Sequence, residues 1–367
     1  MSAQVFTCGA PRQHAGAATR VGGVQAGRKR HYTVDMHCHV LTPAAEKLVA
    51  DRPEKRAAGD EMMKTMTPDS IDYTLNVMLK QAFPKLTQLE QRFRDMDEMG
   101  VDLQVISPAA TEFNYWADVD LARDLCRTIN EHIASLVAAH PDRLLGMGSV
   151  ALQHPDLCVE QLDHAVRKLG LRGVEISSQV CGTEVADARF ARFWAKCAEL
   201  GCVVFLHPLG TTLGDRVRPF YLSNSLGQPL EHAVALSHLI FGGVLDRHPG
   251  LKLLAAHGGG YLASHIGRAD HAWHARPDAH TCQHPPSKYL KRIWFDTVVY
   301  RPQGLRHLAA ETGVGQLVVG TDYPYDMADC AMHALIDGVP EFSEADRAAI
   351  LGGNALKLMG LPERAPR

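Results

Sequence analysis

Eight short apolar segments alternate with stretches of helical periodicity, and this alternation narrows the possible folds more than any other feature of the chain. The segments lie at 32–37, 103–107, 144–150, 173–177, 203–206, 252–256, 293–296 and 317–320. Most are rich in Val, Ile and Leu, as strands buried on both faces are. Helical spacing fills 121–140, 157–169, 190–200, 230–246 and 302–312. A last helix is predicted over 343–359, with Ser343 as its N-cap and Asp346 at the third position of a capping box. Strand then helix, eight times over, predicts an α/β protein: a (β/α)8 TIM barrel rather than an open sheet. The 367 residues suit one such unit over 31–367.

Two connections exceed simple loops. Residues 40–95 form a long insertion after strand one, with helical patterning over 71–98, and residues 258–291 follow strand six. Long insertions at the catalytic face of a barrel tend to cover the substrate. Residues 1–30 hold no Asp or Glu and no apolar signal core, and are read as a flexible leader outside the fold.

Composition removes several function classes. A formal net charge of −3 gives no basic field for nucleic acid. No apolar run approaches the ~18 residues of a membrane span. The nine cysteines are scattered, odd in number and without a CxxC pair, which predicts free thiols and a cytoplasmic setting.

The chemistry sits at the carboxyl ends of the apolar segments. His37 and His39 stand two apart on the first strand, so both face the lumen while Cys38 faces the helix layer. His207 follows strand five, and Asp322 follows strand eight. Singly, each has an ordinary reading as a turn residue, a core histidine or a helix cap. Together, three imidazoles and a carboxylate at one barrel mouth form a ligand set for a divalent metal such as zinc, with manganese as an alternative. His257 ends strand six before three glycines, which allow close backbone approach. It is assigned as an acid–base residue beside Asp322, because the metal needs an open position for water or substrate. Among the remaining histidines, His132, His140, His154 and His164 are read as helix-surface residues. His271, His274, His280 and His284 are read as a solvated loop rather than a second metal site.

These segments resemble the amidohydrolase superfamily, and within it the amidohydrolase-2 branch of muconate-semialdehyde and hydroxybenzoate decarboxylases. The likeness is carried by 35–39 (Asp-Met-His-Cys-His), 96–102, His207-Pro208, His257-Gly258-Gly259-Gly260, Gly267-Arg268-Ala269-Asp270, Pro285-Pro286-Ser287, Gly320-Thr321-Asp322-Tyr323-Pro324 and Gly353-Asn354-Ala355. It implies one zinc on His37, His39, His207 and Asp322, a water completing the site, and His257 handling its proton. Arg268 matches a family arginine that reaches a substrate carboxylate across a homodimer interface. One departure concerns the branch's substrate arginine in the long first loop, where this chain reads Leu75-Asn76-Val77-Met78-Leu79-Lys80. Lys80 is the substitute there, without a guanidinium's bidentate grip. Phe113, Tyr115 and Trp116 line a ring pocket or pack their loop.

The function expected is non-oxidative decarboxylation of an unsaturated or aromatic carboxylic acid, by a carbon–carbon lyase. The same ligands also serve a zinc hydrolase of a lactone or amide, or a hydratase. A barrel that binds without turnover is the non-enzymatic alternative.

Overall fold

The computed structural model describes residues 30–366 and, within the leader, the backbone of two short paired strands, Gln13–His14 and Ala17–Ala18. The rest of the leader call lies outside the described residues. All eight expected strands form: β1 Val34–Val40, β2 Leu103–Pro108, β3 Leu144–Gly146, β4 Gly173–Ile176, β5 Val203–Leu206, β6 Lys252–Ala255, β7 Ile293–Asp296 and β8 Leu317–Val318. Every pairing among them is parallel. Strands β1 to β3 make one arc and β4 to β8 the other. Two parallel bridges, Gly148 to Val174 and Cys38 to Tyr323, join the arcs into a closed barrel.

The apolar side chains divide accordingly. Val34, Met36, Leu103, Val105, Val203, Phe205, Leu254 and Val318 pack together inside the barrel. Cys38, Val40, Ile106, Val174, Val204, Leu206, Leu253 and Phe295 pack outward against the helices. Strict period two puts Met36 and Cys38 on one face, yet they belong to opposite layers. The reason is a bulge in β1. Asp35 pairs with Gln104 and Cys38 with Ile106, so one extra residue enters β1 between them. Met36 and His37 therefore both turn inward.

The expected helices form at Val119–Ala139, Pro155–Arg167, Ala191–Leu200 and Pro302–Thr312. The helix expected over 230–246 is two, Gln228–Phe241 and Val244–Arg247, because Gly243 takes a left-handed φ of 67°. Ser343 and Asp346 make both hydrogen bonds of the capping box. The last helix is interrupted by a π-helical turn at Ala349–Gly353. The insertion after β1 is helical from Pro43 onward, earlier than its patterning indicates. Cys38, Cys126, Cys158, Cys181, Cys197, Cys202 and Cys282 are free thiols. Cys330 is not among them, so the free-thiol reading holds for those seven. Among the described residues, no helix is long and apolar enough to cross a membrane.

The seam between β4 and β5 tests the architecture. A Cβ on Gly173 would lie 1.8 Å from the Val203 carbonyl oxygen, on backbone that cannot yield. Gly173→Ala is expected to destabilise the protein by about 2 kcal/mol or more. In a thermal melt that is a drop of about 3 °C or more; an unchanged melt would deny the close β4–β5 approach.

Candidate metal centre and acid–base site

Strand ends bring His37, His39, His207, His257 and Asp322 to one mouth of the barrel. His37 Nε2 lies 3.2 Å from His39 Nε2 and 3.2 Å from Asp322 Oδ1. His39 Nε2 lies 3.4 Å from the same Asp322 oxygen. His37, His207, His257 and Asp322 each offer a ligand atom within 4.8 Å of the others. Ligands held about 2.1 Å from a tetrahedral cation stand about 3.4 Å apart, so the inner separations are those of a chelating set. His207 supplies a further sign. Both of its ring nitrogens are buried without a hydrogen-bond partner, a costly state unless an ion completes one of them. The donor set fits a divalent metal.

Hydrogen bonds on the far side of each ring select the nitrogen that faces inward. His37 donates Nδ1–H to Asp296 Oδ2 at 2.6 Å, and His39 donates Nδ1–H to the Pro108 carbonyl at 3.1 Å. Only their Nε2 atoms remain for a metal. Asp296 also accepts the backbone N–H groups of His257, Gly258 and Val298 at 2.8–3.0 Å. Gly320 makes room for this packing: a Cβ there would lie 2.8 Å from the Cβ atoms of both His37 and Asp296.

His257 and Asp322 take left-handed backbone conformations, with φ of 52° and 59°. Each is strained for a residue with a side chain. The Asp296 bond to His257 N and a 2.8 Å bond from Asp322 N to the His37 carbonyl hold them there. The result is His257 Nε2 at 3.3 Å from Asp322 Oδ2.

Close imidazole–carboxylate pairs set the charge of this buried cluster. Burial opposes protonation of His37, but the Asp322 and Asp296 carboxylates outweigh it and raise His37 to about 10. Burial likewise opposes a charged Asp322, but His37, His257 and His39 outweigh it and hold its carboxyl well below the usual range. Burial, reinforced by the neighbouring imidazoles, keeps His207 well below its ordinary value and therefore neutral, as a ligand must be.

His257 and Asp322 open onto a cavity of about 440 Å3, large enough for a one-ring acid. Asn224, Gln228, Tyr261, Tyr300 and His307 are among the residues of its wall. Three sequence candidates lie elsewhere. Lys80 is exposed and donates to Asn76 Oδ1 at 3.1 Å on its own helix. Trp116 is half-buried against the barrel–helix core. Arg268 is exposed on helix Leu262–Ala275, which sends Ala263 and Ser264 to the cavity wall. Of the four histidines expected in the loop after β6, His271 and His274 lie on helix Leu262–Ala275 rather than in a loop; among the described residues none of the four joins a metal-binding group, and His280 stacks on Trp273 at 3.9 Å.

Three polar residues of the site escaped the sequence reading. Asp296 ends β7 much as Asp322 follows β8, and the strand-end criterion applied evenly would have found it. Glu175 lies inside β4, fully buried, 3.7 Å from His39 Nδ1, and burial raises its carboxyl. His232 is buried in helix Gln228–Phe241 with Nε2 3.1 Å from His257 Nδ1. Nothing in its local sequence marks it.

The amidohydrolase family matches residues 34–361, and the chain belongs to that family. The 2-amino-3-carboxymuconate-6-semialdehyde decarboxylase of Dictyostelium discoideum is 36% identical over 272 residues, 74% of this chain and 76% of that protein. Gamma-resorcylate decarboxylase of Rhodococcus jostii is 29% identical over 74% of this chain and 87% of its own length. The fold is shared with 5-carboxyvanillate decarboxylase of Novosphingobium aromaticivorans, solved with manganese and 4-hydroxy-3-methoxy-5-nitrobenzoic acid. Its TM-score is 0.79 at 21% identity, over 93% of this chain and 98% of that one.

Two outcomes are expected. Asp296→Asn leaves every proposed ligand in place but weakens the acceptor that orients His37, and metal affinity should fall about 10–100-fold in a chelator competition. Unchanged affinity would remove Asp296 from the site. Second, His37 carries its extra proton below about pH 10 in the metal-free protein, and a metal must displace it. Zinc uptake should therefore release protons and weaken as pH falls. Calorimetry in buffers of different ionisation enthalpy measures this, and uptake without proton release would contradict it.

Proposed function

We propose that this amidohydrolase-family protein is a metal-dependent, non-oxidative decarboxylase of an unsaturated or aromatic carboxylic acid. One observation carries the reading: His37, His39 and Asp322 converge with separations of 3.2–3.4 Å, His207 offers a ligand atom within 4.8 Å of those of His37 and Asp322, and His257 adjoins them on the wall of a ring-sized cavity. The names of the two curated relatives support the reaction class. His37, His39, His207 and Asp322 would hold the metal, with zinc our first choice and manganese, present in the related structure, the alternative.

The reaction breaks the bond between carboxylate and carbon and leaves an electron pair on that carbon, which must gain a proton. When bound, the divalent ion supplies Lewis-acid stabilisation of the negative charge that develops. The protein's own work is to place the substrate and move the proton. His257 Nε2 is the group for the proton: it lies at the cavity wall and is steered by Asp322 Oδ2. Tyr261 and Tyr300 line the same cavity and supply aromatic surface for a planar acid.

The finer parts of the reading follow from the sequence resemblance. The protein acts as a homodimer in which Arg268, exposed in its own chain, reaches the partner's cavity and grips a carboxylate. Lys80 and Trp116 join the substrate site only if the helices after β1 and the loop after β2 close toward it. Residues 31–367 work as one barrel domain behind a leader, and the seven free thiols support a cytoplasmic setting.

The test is CO2 release by zinc-loaded protein from 2,6-dihydroxybenzoate, 5-carboxyvanillate and the aminocarboxymuconate semialdehyde. Chelator-sensitive release from one of them is expected. Silence across the set, with turnover of a lactone or amide instead, would replace the reading with a hydrolase. His257→Ala should keep its metal and lose about 10²–10⁴-fold in turnover; an unchanged rate would remove the acid–base role.

A further inference from the structure

The glycines after β6 admit a close neighbour. A Cβ on Gly260 would lie 1.9 Å from the Pro229 carbonyl oxygen, and one on Gly259 would lie 3.4 Å from Leu236. Helix Gln228–Phe241 thus packs directly on the His257 turn. Its His232, with no exposed surface, is brought edge-on to His257, with ring centroids 5.2 Å apart at 76°.

We propose that His232 is a positioning residue that fixes His257 in the tautomer protonated at Nε2. The direction follows from the partners at each end. Asp322 carries a carboxylate, which only accepts, so at 3.3 Å the His257 Nε2 must be the donor. His257 Nδ1 is then a bare acceptor, and His232 Nε2, 3.1 Å away, supplies its N–H. The proton of neutral His232 is thereby on Nε2, and its Nδ1 is a lone pair. That atom is buried with no partner. The reverse arrangement puts the His232 proton on Nδ1, and a buried N–H without an acceptor is the rarer defect. Burial, reinforced by His257 and His37, holds His232 well below its ordinary value, which keeps it neutral. The chain His232 Nε2–H to His257 Nδ1, then His257 Nε2–H to Asp322, has one consistent direction.

The consequence concerns the proposed reaction and rests on that reading. His257 enters the cycle as a neutral ring with an N–H on the nitrogen that faces the cavity. From it the ring donates a hydrogen bond to the solvent molecule that protonates the carbon losing CO2; the hydroxide left behind takes up that CO2 as bicarbonate, and His257 keeps its own proton. His232 touches no substrate and acts only through His257.

The tautomer is read directly by two-dimensional 1H–15N NMR of histidine-labelled, zinc-loaded full-length protein, which needs no substrate. A pyrrole-type nitrogen at His257 Nε2 and a pyridine-type one at Nδ1 are expected, and the opposite pattern would overturn the proposal. Two variants give a second readout, using whichever acid of the decarboxylation set releases CO2. His232→Leu should retain zinc and KM while kcat falls about 10–100-fold. His232→Gln, whose amide N–H replaces the Nε2 donor, should recover most of the loss. A wild-type kcat in His232→Leu, or a Gln variant as slow as the Leu one, would overturn the proposal. If no acid is decarboxylated, the reaction assignment fails while the NMR spectrum still decides the tautomer.

Discussion

One buried carboxylate holds the site together. Asp296, at the end of β7, accepts His37 Nδ1–H from β1, two backbone N–H groups from the turn after β6, and one from its own strand's exit. Its four bonds connect three strand ends that are far apart in sequence. They orient one metal-type imidazole and hold His257 in a backbone conformation it would not choose. An acceptor-only group suits this task, since every donor around it is satisfied by the same two oxygens.

A second carboxylate acts in the same way across the barrel seam. Asp35, fully buried, accepts from His37 N, Thr321 N, Thr321 Oγ1 and Gln104 Nε2. It links the bulge in β1 to the end of β8, where Asp322 begins its left-handed turn. Burial raises its carboxyl, and these donors work against that. The strained residues lie between the two carboxylates. Left-handed φ angles at His257 and Asp322 cost about 1–3 kcal/mol each, offset by fixed hydrogen bonds around them. A bulge, two strained turns and unpartnered imidazole nitrogens thus meet at one mouth of the barrel. Elsewhere its strands follow ordinary parallel pairing.

This distribution explains what was legible in the sequence. The eight strands could be read because Val, Ile and Leu runs between helices carry their own signal, and His37, His39, His207, His257 and Asp322 could be read because they sit at strand ends. The bulge could not. Alternation of apolar and polar residues predicts His37 and His39 inward, which is correct, but places Met36 outward, and only register against β2 shows otherwise. Asp296 was overlooked although its position follows the rule that identified Asp322. His232 belongs to another category: it is a helix residue whose meaning arises from its contact with His257, 25 residues later in the chain. Helix periodicity also ran through Gly242-Gly243, where backbone freedom divides one expected helix into two.

On the proposed assignment, His37, His39, His207 and Asp322 bind one divalent ion while His257 stays outside its coordination shell and directs the proton. Crystallography of the zinc-loaded protein, with anomalous scattering recorded at the zinc edge, tests this most directly. One ion bound by His37 Nε2, His39 Nε2, a ring nitrogen of His207 and an Asp322 oxygen is the expected result. An ion that takes His257 in place of His39, or no ion at this mouth of the barrel, would contradict it.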